Sequence, residues 1–179
     1  MRAVVLLLLL VAAAETFFVF GPDRDRRAAA TPPVAYQQAK ADALFASSFK
    51  QFSSTRVALA QFKGKPLIVY FWATWCAECK EEAKALAALQ RQHEAGGLAV
   101  IGVGVDQSDQ LERFMRENQL GFPVFVAGKE GIDLSKKMGN LLGELPFIAA
   151  IDRRGMFAGK HLGKFLPGTL ESIAGAALK

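Results

Sequence analysis

Tyr70-Phe-Trp-Ala-Thr-Trp-Cys76-Ala-Glu-Cys79-Lys-Glu-Glu82 is the stretch from which the rest of this 179-residue chain can be read. It holds both of the chain's 2 cysteines. A continuous apolar run, Leu67 to Ala73, comes just before them, and a helix-forming run, Glu78 to about Glu94, comes just after. The order predicted is therefore a strand, a tight turn, and a Cys-x-x-Cys that opens a helix. A thiol at a helix N-terminus sits at the positive end of the aligned peptide dipoles, which favours thiolate over thiol and lowers the cysteine pKa. Two intervening residues put the sulfurs one helical turn apart, within reach of a disulfide. No cysteine is left over for a structural bridge, so this pair is either the chemistry or nothing. Cys76, at the helix tip, is the expected nucleophile, and Cys79, one turn in and more buried, the expected resolving thiol.

Working outward, Gly64-Lys-Pro66 punctuates the chain ahead of Leu67–Ala73, and an unbroken apolar strand is expected in a parallel sheet covered on both faces. After the cysteines, Cys79, Glu82, Ala83, Leu86, Leu89 and His93 fall on one helical face, and Gly96-Gly97 ends that helix. Leu98 to Val105 reads as a second buried strand. Ser108 or Asp109 is expected to cap a helix bearing Leu111, Phe114 and Met115. Pro123 to Val126 is a short strand, and Ile132 to Met138 a short helix. Phe147 to Ile151, the turn Asp152-Arg-Arg-Gly155 and Met156 to Leu162 form a hairpin. Pro167 is expected to open a last helix with Leu170, Ile173, Ala174 and Ala177 on one face. Upstream, Val34 to Leu44 fits a short helix. Leu44 to Val57, carrying Phe45, Phe49 and Phe52, reads as weak strands or a hairpin packed on the domain. Alternating strands and helices with a closing hairpin define an α/β class with a mixed central sheet flanked by helices.

The first twenty residues differ in kind. A short positive start leads into Val4–Val11 and on to Phe20, the pattern of an export signal. Ala12-Ala-Ala14 fits a cleavage site, yet Ala3 to Phe20 is also near the length needed to span a bilayer. Glu15 interrupts that span, and Arg24, Arg26 and Arg27 would lie on the exported side, against the usual charge rule. We favour an uncleaved anchor over a cleaved signal. Residues 1–20 are thus a signal or membrane anchor, 21–43 a linker, and 44–179 the folded domain. The net charge of +5 suits an acidic partner or anionic headgroups. It does not indicate nucleic acid, because no dense Lys/Arg run is interleaved with aromatics.

FWATWCAEC resembles the active-site segment of thioredoxin-fold disulfide oxidoreductases. VALAQFKGKPLIVYFWATWC and ELPFIAAIDRRG narrow the resemblance to the TlpA/ResA-like thiol-disulfide reductases of bacterial envelopes, and it runs from about Ser53 to the C-terminus. It implies a thioredoxin-like fold with an extra helix–strand insertion, here Ser108 to Val126. It implies that Pro146 is the cis-proline opposite the disulfide, that Leu145 belongs to the peptide-contacting loop, and that Trp75 shapes the partner surface. It also implies a proton-handling role for Glu82. That role has a physical basis as well, since an inward carboxyl near thiols has a raised pKa. Two departures stand out. Glu78 occupies the place of the family's proline, putting a negative charge beside a thiolate that must form. Tyr70 occupies the place where thioredoxins carry a buried aspartate.

The function expected is that of an envelope thiol-disulfide oxidoreductase, reducing protein disulfides through Cys76 and Cys79. Apocytochrome c thiols or copper-site thiols are substrates by resemblance, and a membrane electron carrier is the donor by resemblance. The expected form is a periplasmic or otherwise extracytoplasmic monomer with no cofactor beyond the redox-active disulfide. Rivals are a disulfide-forming oxidant, a copper-binding chaperone on the same fold, which uses a longer cysteine spacing, and a peroxiredoxin, which wants Thr-x-x-Cys where Thr74 here is two residues before Cys76. A zinc site is disfavoured, because His93 and His161 are far apart in sequence and no second Cys-x-x-Cys exists. Both histidines are expected to be structural.

Overall fold

The computed structural model describes residues 41–179. The expected signal or anchor and almost all of the expected linker lie outside the described residues. Among the described residues no helix is long and apolar enough to cross a membrane. The domain is already formed at Ala41, which is buried and donates its N–H to Gly155 O at 2.9 Å.

The central strand is β3, and its sequence explains its place. A short helix α1 (Asp42–Phe45) comes first, followed by β1 (Ser48–Lys50), β2 (Arg56–Ala58) and β3 (Leu67–Trp72). Every residue of β3 is buried. Its side chains alternate between two cores, as a period of two requires. Ile68, Tyr70 and Trp72 face one core with Cys79, Leu86, Leu111 and Ile173. Leu67, Val69 and Phe71 face the other with Leu44, Phe49, Phe125 and Met138. Beyond β3 come α2 (Ala77–Gln92), β4 (Ala99–Gly104), α3 (Ser108–Asn118), β5 (Val124–Val126), α4 (Gly128–Lys137), β6 (Phe147–Ile151), β7 (Phe157–Leu162) and α5 (Thr169–Leu178).

The sheet has 7 strands in the order β2-β1-β5-β4-β3-β6-β7. Strands β3, β4 and β5 run parallel, while β6, β7, β1 and β2 join antiparallel. The sheet is mixed, as expected, and the inserted α3–β5 unit places its strand between β1 and β4. Close approach at β4 depends on glycine. A Cβ on Gly102 would lie 2.9 Å from both Trp72 Nε1 and Val124 Cγ2, and one on Gly104 would lie 2.5 Å from Leu111 Cδ1.

Several local expectations are corrected. Neither Ser108 nor Asp109 caps α3: Gln107 holds the cap position without a side-chain bond, and its N–H goes to Asp106 Oδ1 at 2.7 Å. Pro167 does not open α5, because Gly168 precedes the first helical residue at φ 83°, a left-handed conformation that glycine adopts freely. The preceding turn is closed instead by Leu166 N–H donating to Thr169 Oγ1 at 3.1 Å. The upstream hairpin, by contrast, is as expected: β1 pairs antiparallel with β2, Phe45 and Phe49 are buried, and Phe52 is exposed in the connection between the two strands.

Candidate active site

The site is built where β3 ends. Hydrogen bonding continues one step past the strand, from Val105 N–H to Trp72 O at 2.8 Å. The chain then turns through Ala73, Thr74 and Trp75 into α2. Asp106, just beyond β4, pins this turn. Its Oδ2 accepts the Thr74 N–H at 3.0 Å and also the Thr74 hydroxyl. The sequence carried no signal for this pin, because the partners are 32 residues apart.

Cys76 is the N-cap of α2, and its Sγ accepts the Cys79 N–H at 3.2 Å. The two cysteines form a disulfide, with Cα atoms 5.2 Å apart. Cys76 is 7% exposed and Cys79 fully buried. The outer sulfur thus lies at the helix N-terminus with a backbone donor aimed at it, where negative charge is favoured. Trp75, beside it, is 69% exposed, whereas Trp72 lies in the core and is ring-packed against Tyr70 and Phe114.

The Leu145–Pro146 peptide bond is cis. Pro146 precedes β6, whose Phe147 is paired with Phe71, so the bond lies level with the end of β3 from which the cysteine turn departs. Leu145 packs against both cores. The loop before it is held by the buried Asn140, whose Nδ2 donates to Glu144 O at 2.8 Å and whose Oδ1 accepts the Glu144 N–H at 3.2 Å.

Glu82 is buried on the inward face of α2. Its Oε1 accepts the Phe165 N–H at 2.7 Å, and its Oε2 accepts the Tyr70 hydroxyl at 2.9 Å. The same hydroxyl lies 3.1 Å from the Cys79 carbonyl oxygen. Burial pushes the Glu82 carboxyl above the ordinary carboxylate range, and the charge of Glu78 adds to the push. The Phe165 N–H, the Tyr70 hydroxyl and His161 pull the other way without cancelling it. His161 is packed edge-on against the Phe165 ring, and its Nε2 lies 3.0 Å from Lys164 O. The sequence indicated Glu82 through its helical face. Phe165 was not legible, because its contribution is a backbone N–H and carries no side-chain signature.

A β3-turn-helix bearing Cys-x-x-Cys, packed on a mixed sheet with a cis-proline level with the turn, defines the thioredoxin-like class of redox proteins. The chain belongs to the AhpC/TSA family, whose model matches residues 40–157. Its relatives include thiol-disulfide oxidoreductases of the ResA kind and a peroxiredoxin Q of Triticum aestivum, 28% identical over 168 residues, 90% of this chain and 75% of that one. The thioredoxin-like protein YneN of Bacillus subtilis is 30% identical over 120 residues, 65% of this chain and 67% of that one. The thiol-disulfide oxidoreductase ResA of Bacillus thuringiensis subsp. konkukian is 30% identical over 101 residues, which span 56% of this chain and 56% of ResA. The crystal structure of a thiol:disulfide interchange protein of the thioredoxin family from Chlorobium tepidum is 25% identical, with a TM-score of 0.65 over 74% of this chain and 93% of that one. The domain is a thiol-disulfide oxidoreductase domain of the TlpA/ResA-like group.

Proposed function

We propose that the whole protein is a reductase of protein disulfides outside the cytoplasm, held there by its N-terminal apolar segment. The observation that carries the chemistry is Cys76 at the N-cap of α2, its sulfur accepting the Cys79 N–H. In the reduced protein the Cys76 thiolate attacks a partner disulfide. A sulfur–sulfur bond forms between Cys76 and the partner, the partner's own bond breaks, and its second sulfur leaves as a thiolate. Cys79 then gives its proton to Glu82 and attacks Cys76 Sγ. The mixed disulfide breaks, and the partner's other sulfur leaves as a thiolate too. Glu82 gives up its proton, both partner thiolates are protonated in solvent, and the Cys76–Cys79 disulfide of this structure is left. A dithiol donor at the membrane would restore the reduced state. Trp75, Leu145 and Pro146 would receive the partner's extended chain, with backbone groups beside the cis bond pairing to it. Apocytochrome c and copper-site proteins, both with paired thiols, are the substrates we favour.

Charge near the cysteines supports the reducing direction. Glu78 lies in the first turn of α2 and Glu82 is buried one turn further in. The Glu78 carboxylate opposes negative charge on the cysteine sulfurs, as Glu82 does when it is ionised, and a poorly stabilised thiolate makes a stronger reductant. The test is the equilibrium potential against glutathione. A value close to that of thioredoxin, about −270 mV, is expected, and one above about −180 mV would assign the protein to disulfide formation instead.

A further inference from the structure

Tyr70, fully buried on β3, brings a hydroxyl to the face of α2 that carries Cys79 and Glu82. We propose that this hydroxyl is a positioning group of the redox centre: it bridges Glu82 Oε2 and the Cys79 carbonyl oxygen, and so couples the proton on Glu82 to the first turn of the cysteine helix. The geometry supplies the argument. One phenolic proton faces two acceptors, the carboxylate at 2.9 Å and the carbonyl at 3.1 Å. A phenol has a single O–H to give and can also accept. When Glu82 is ionised, the hydroxyl is drawn to the carboxylate, since a bond to a charged acceptor is the stronger one. When Glu82 holds a proton it can donate to the phenol oxygen, which frees the O–H for the Cys79 carbonyl. Oε1 keeps the Phe165 N–H at 2.7 Å in either state. Tyr70 itself stays protonated throughout, because burial and then the Glu82 charge push its pKa far up.

The other groups facing the carboxyl are few. His161 of β7 favours the ionised form, and Glu78 on the same helix opposes it. Glu81 of α2 and Glu171 of α5 line the same surface hollow as Glu82, with Phe165, Leu166 and Leu170. Among the described residues, the Tyr70 hydroxyl and the Phe165 N–H hydrogen-bond the Glu82 carboxyl, and of these two the hydroxyl also reaches the backbone of the cysteine helix. Its ring is fixed independently, fully buried, stacked with Trp72 at 6.5 Å and tilted on Phe165 at 5.8 Å. Tyr70→Phe therefore removes the bridge and keeps the packing.

This inference rests on Glu82 being the proton acceptor for Cys79, and the experiment separates the two ideas. The rate at which Cys79 resolves a preformed mixed disulfide on Cys76 is followed against pH in the full chain. The wild type should show a rising limb from the ionisation of Glu82, and Glu82→Gln should abolish it. Tyr70→Phe deprives the carboxylate of one charge-assisted bond, so the limb should move up by about one pH unit, with resolution about tenfold slower below it. A structural role alone would lower the unfolding midpoint and leave the limb in place. Should Tyr70→Phe not fold, 3-fluorotyrosine incorporated with Tyr36→Phe puts a more acidic, stronger donor at Tyr70 alone, and the limb should move down. A limb unmoved by the phenol substitution, yet abolished in Glu82→Gln, overturns the proposal for Tyr70 and leaves Glu82 standing. A limb unmoved in Glu82→Gln overturns both.

Discussion

Cys76 and Cys79 share a disulfide but not an environment. Cys76 keeps a little exposure and a backbone donor, while Cys79 has no exposure at all. A partner sulfur can approach only the first. With Cys79→Ala a mixed disulfide on Cys76 should accumulate, visible as a covalent complex on a non-reducing gel. Cys76→Ala should trap nothing, and trapping by Cys76→Ala alone would reverse the assignment. Trp75 offers a second test at this scale. Its ring is largely in solvent and contributes little burial, so Trp75→Ala should change stability by less than about 0.5 kcal/mol. If it shapes the partner surface, the same variant should raise KM for a protein disulfide and leave the reaction with a small disulfide unchanged.

At the scale of elements, the site depends on how closely β4 and α3 approach the strand that carries it. Gly104 is the last residue of β4 and is paired with Trp72 at the end of β3. Leu111, fully buried, fills the space beside it. A methyl group at Gly104 would force Leu111 off its rotamer or push α3 away from the sheet. Gly104→Ala should therefore destabilise the domain by about 1–3 kcal/mol, read from the midpoint of denaturant unfolding. It lies next to the Val105–Trp72 backbone bond and the Asp106–Thr74 pin. Resolution by Cys79 should consequently slow at every pH together with the loss of stability, whereas Tyr70→Phe slows it only below the shifted limb.

For the molecule as a whole, Glu82 and Asp152 make stability depend on pH in opposite senses. The folded pKa of Glu82 is raised, so its protonated form is the one the fold tolerates. Its contribution is fully present below the unfolded carboxylate pKa and is lost as pH rises through the folded value. Glu82→Gln should thus raise the unfolding midpoint relative to wild type at neutral pH and above, and the difference should shrink on acidification. Burial alone would raise the Asp152 carboxyl, but the N–H groups of Met156 and Arg154 and the Arg154 guanidinium outweigh it and hold the pKa below the ordinary range. That contribution is present above the unfolded pKa and is lost as pH falls through the folded one. Asp152→Asn should lower the midpoint at neutral pH and have little effect in strong acid. Unfolding followed by circular dichroism across pH checks both variants.

Much of this was legible in local pattern. The unbroken apolar run of β3, the helical face from Cys79 to Leu89 and the hairpin around Asp152–Gly155 each follow from a short period of side chains, so neighbours in sequence suffice to define them. The cysteine pair was equally plain, because its chemistry depends on a spacing of three along one helix. Helix starts were less legible. Ser108 and Pro167 are favourable openers, but the turns before them are settled by Asp106 reaching to Thr74 and by Gly168 turning left-handed. Only the tertiary structure decided what surrounds Glu82. Its helical face said that it points inward, but not that Tyr70 from the strand and Phe165 from the β7–α5 connection would be there to meet it. The physical reason is distance along the chain. Glu82 and Phe165 are 83 residues apart, and their bond exists only because α2 and α5 pack on the same face of the sheet.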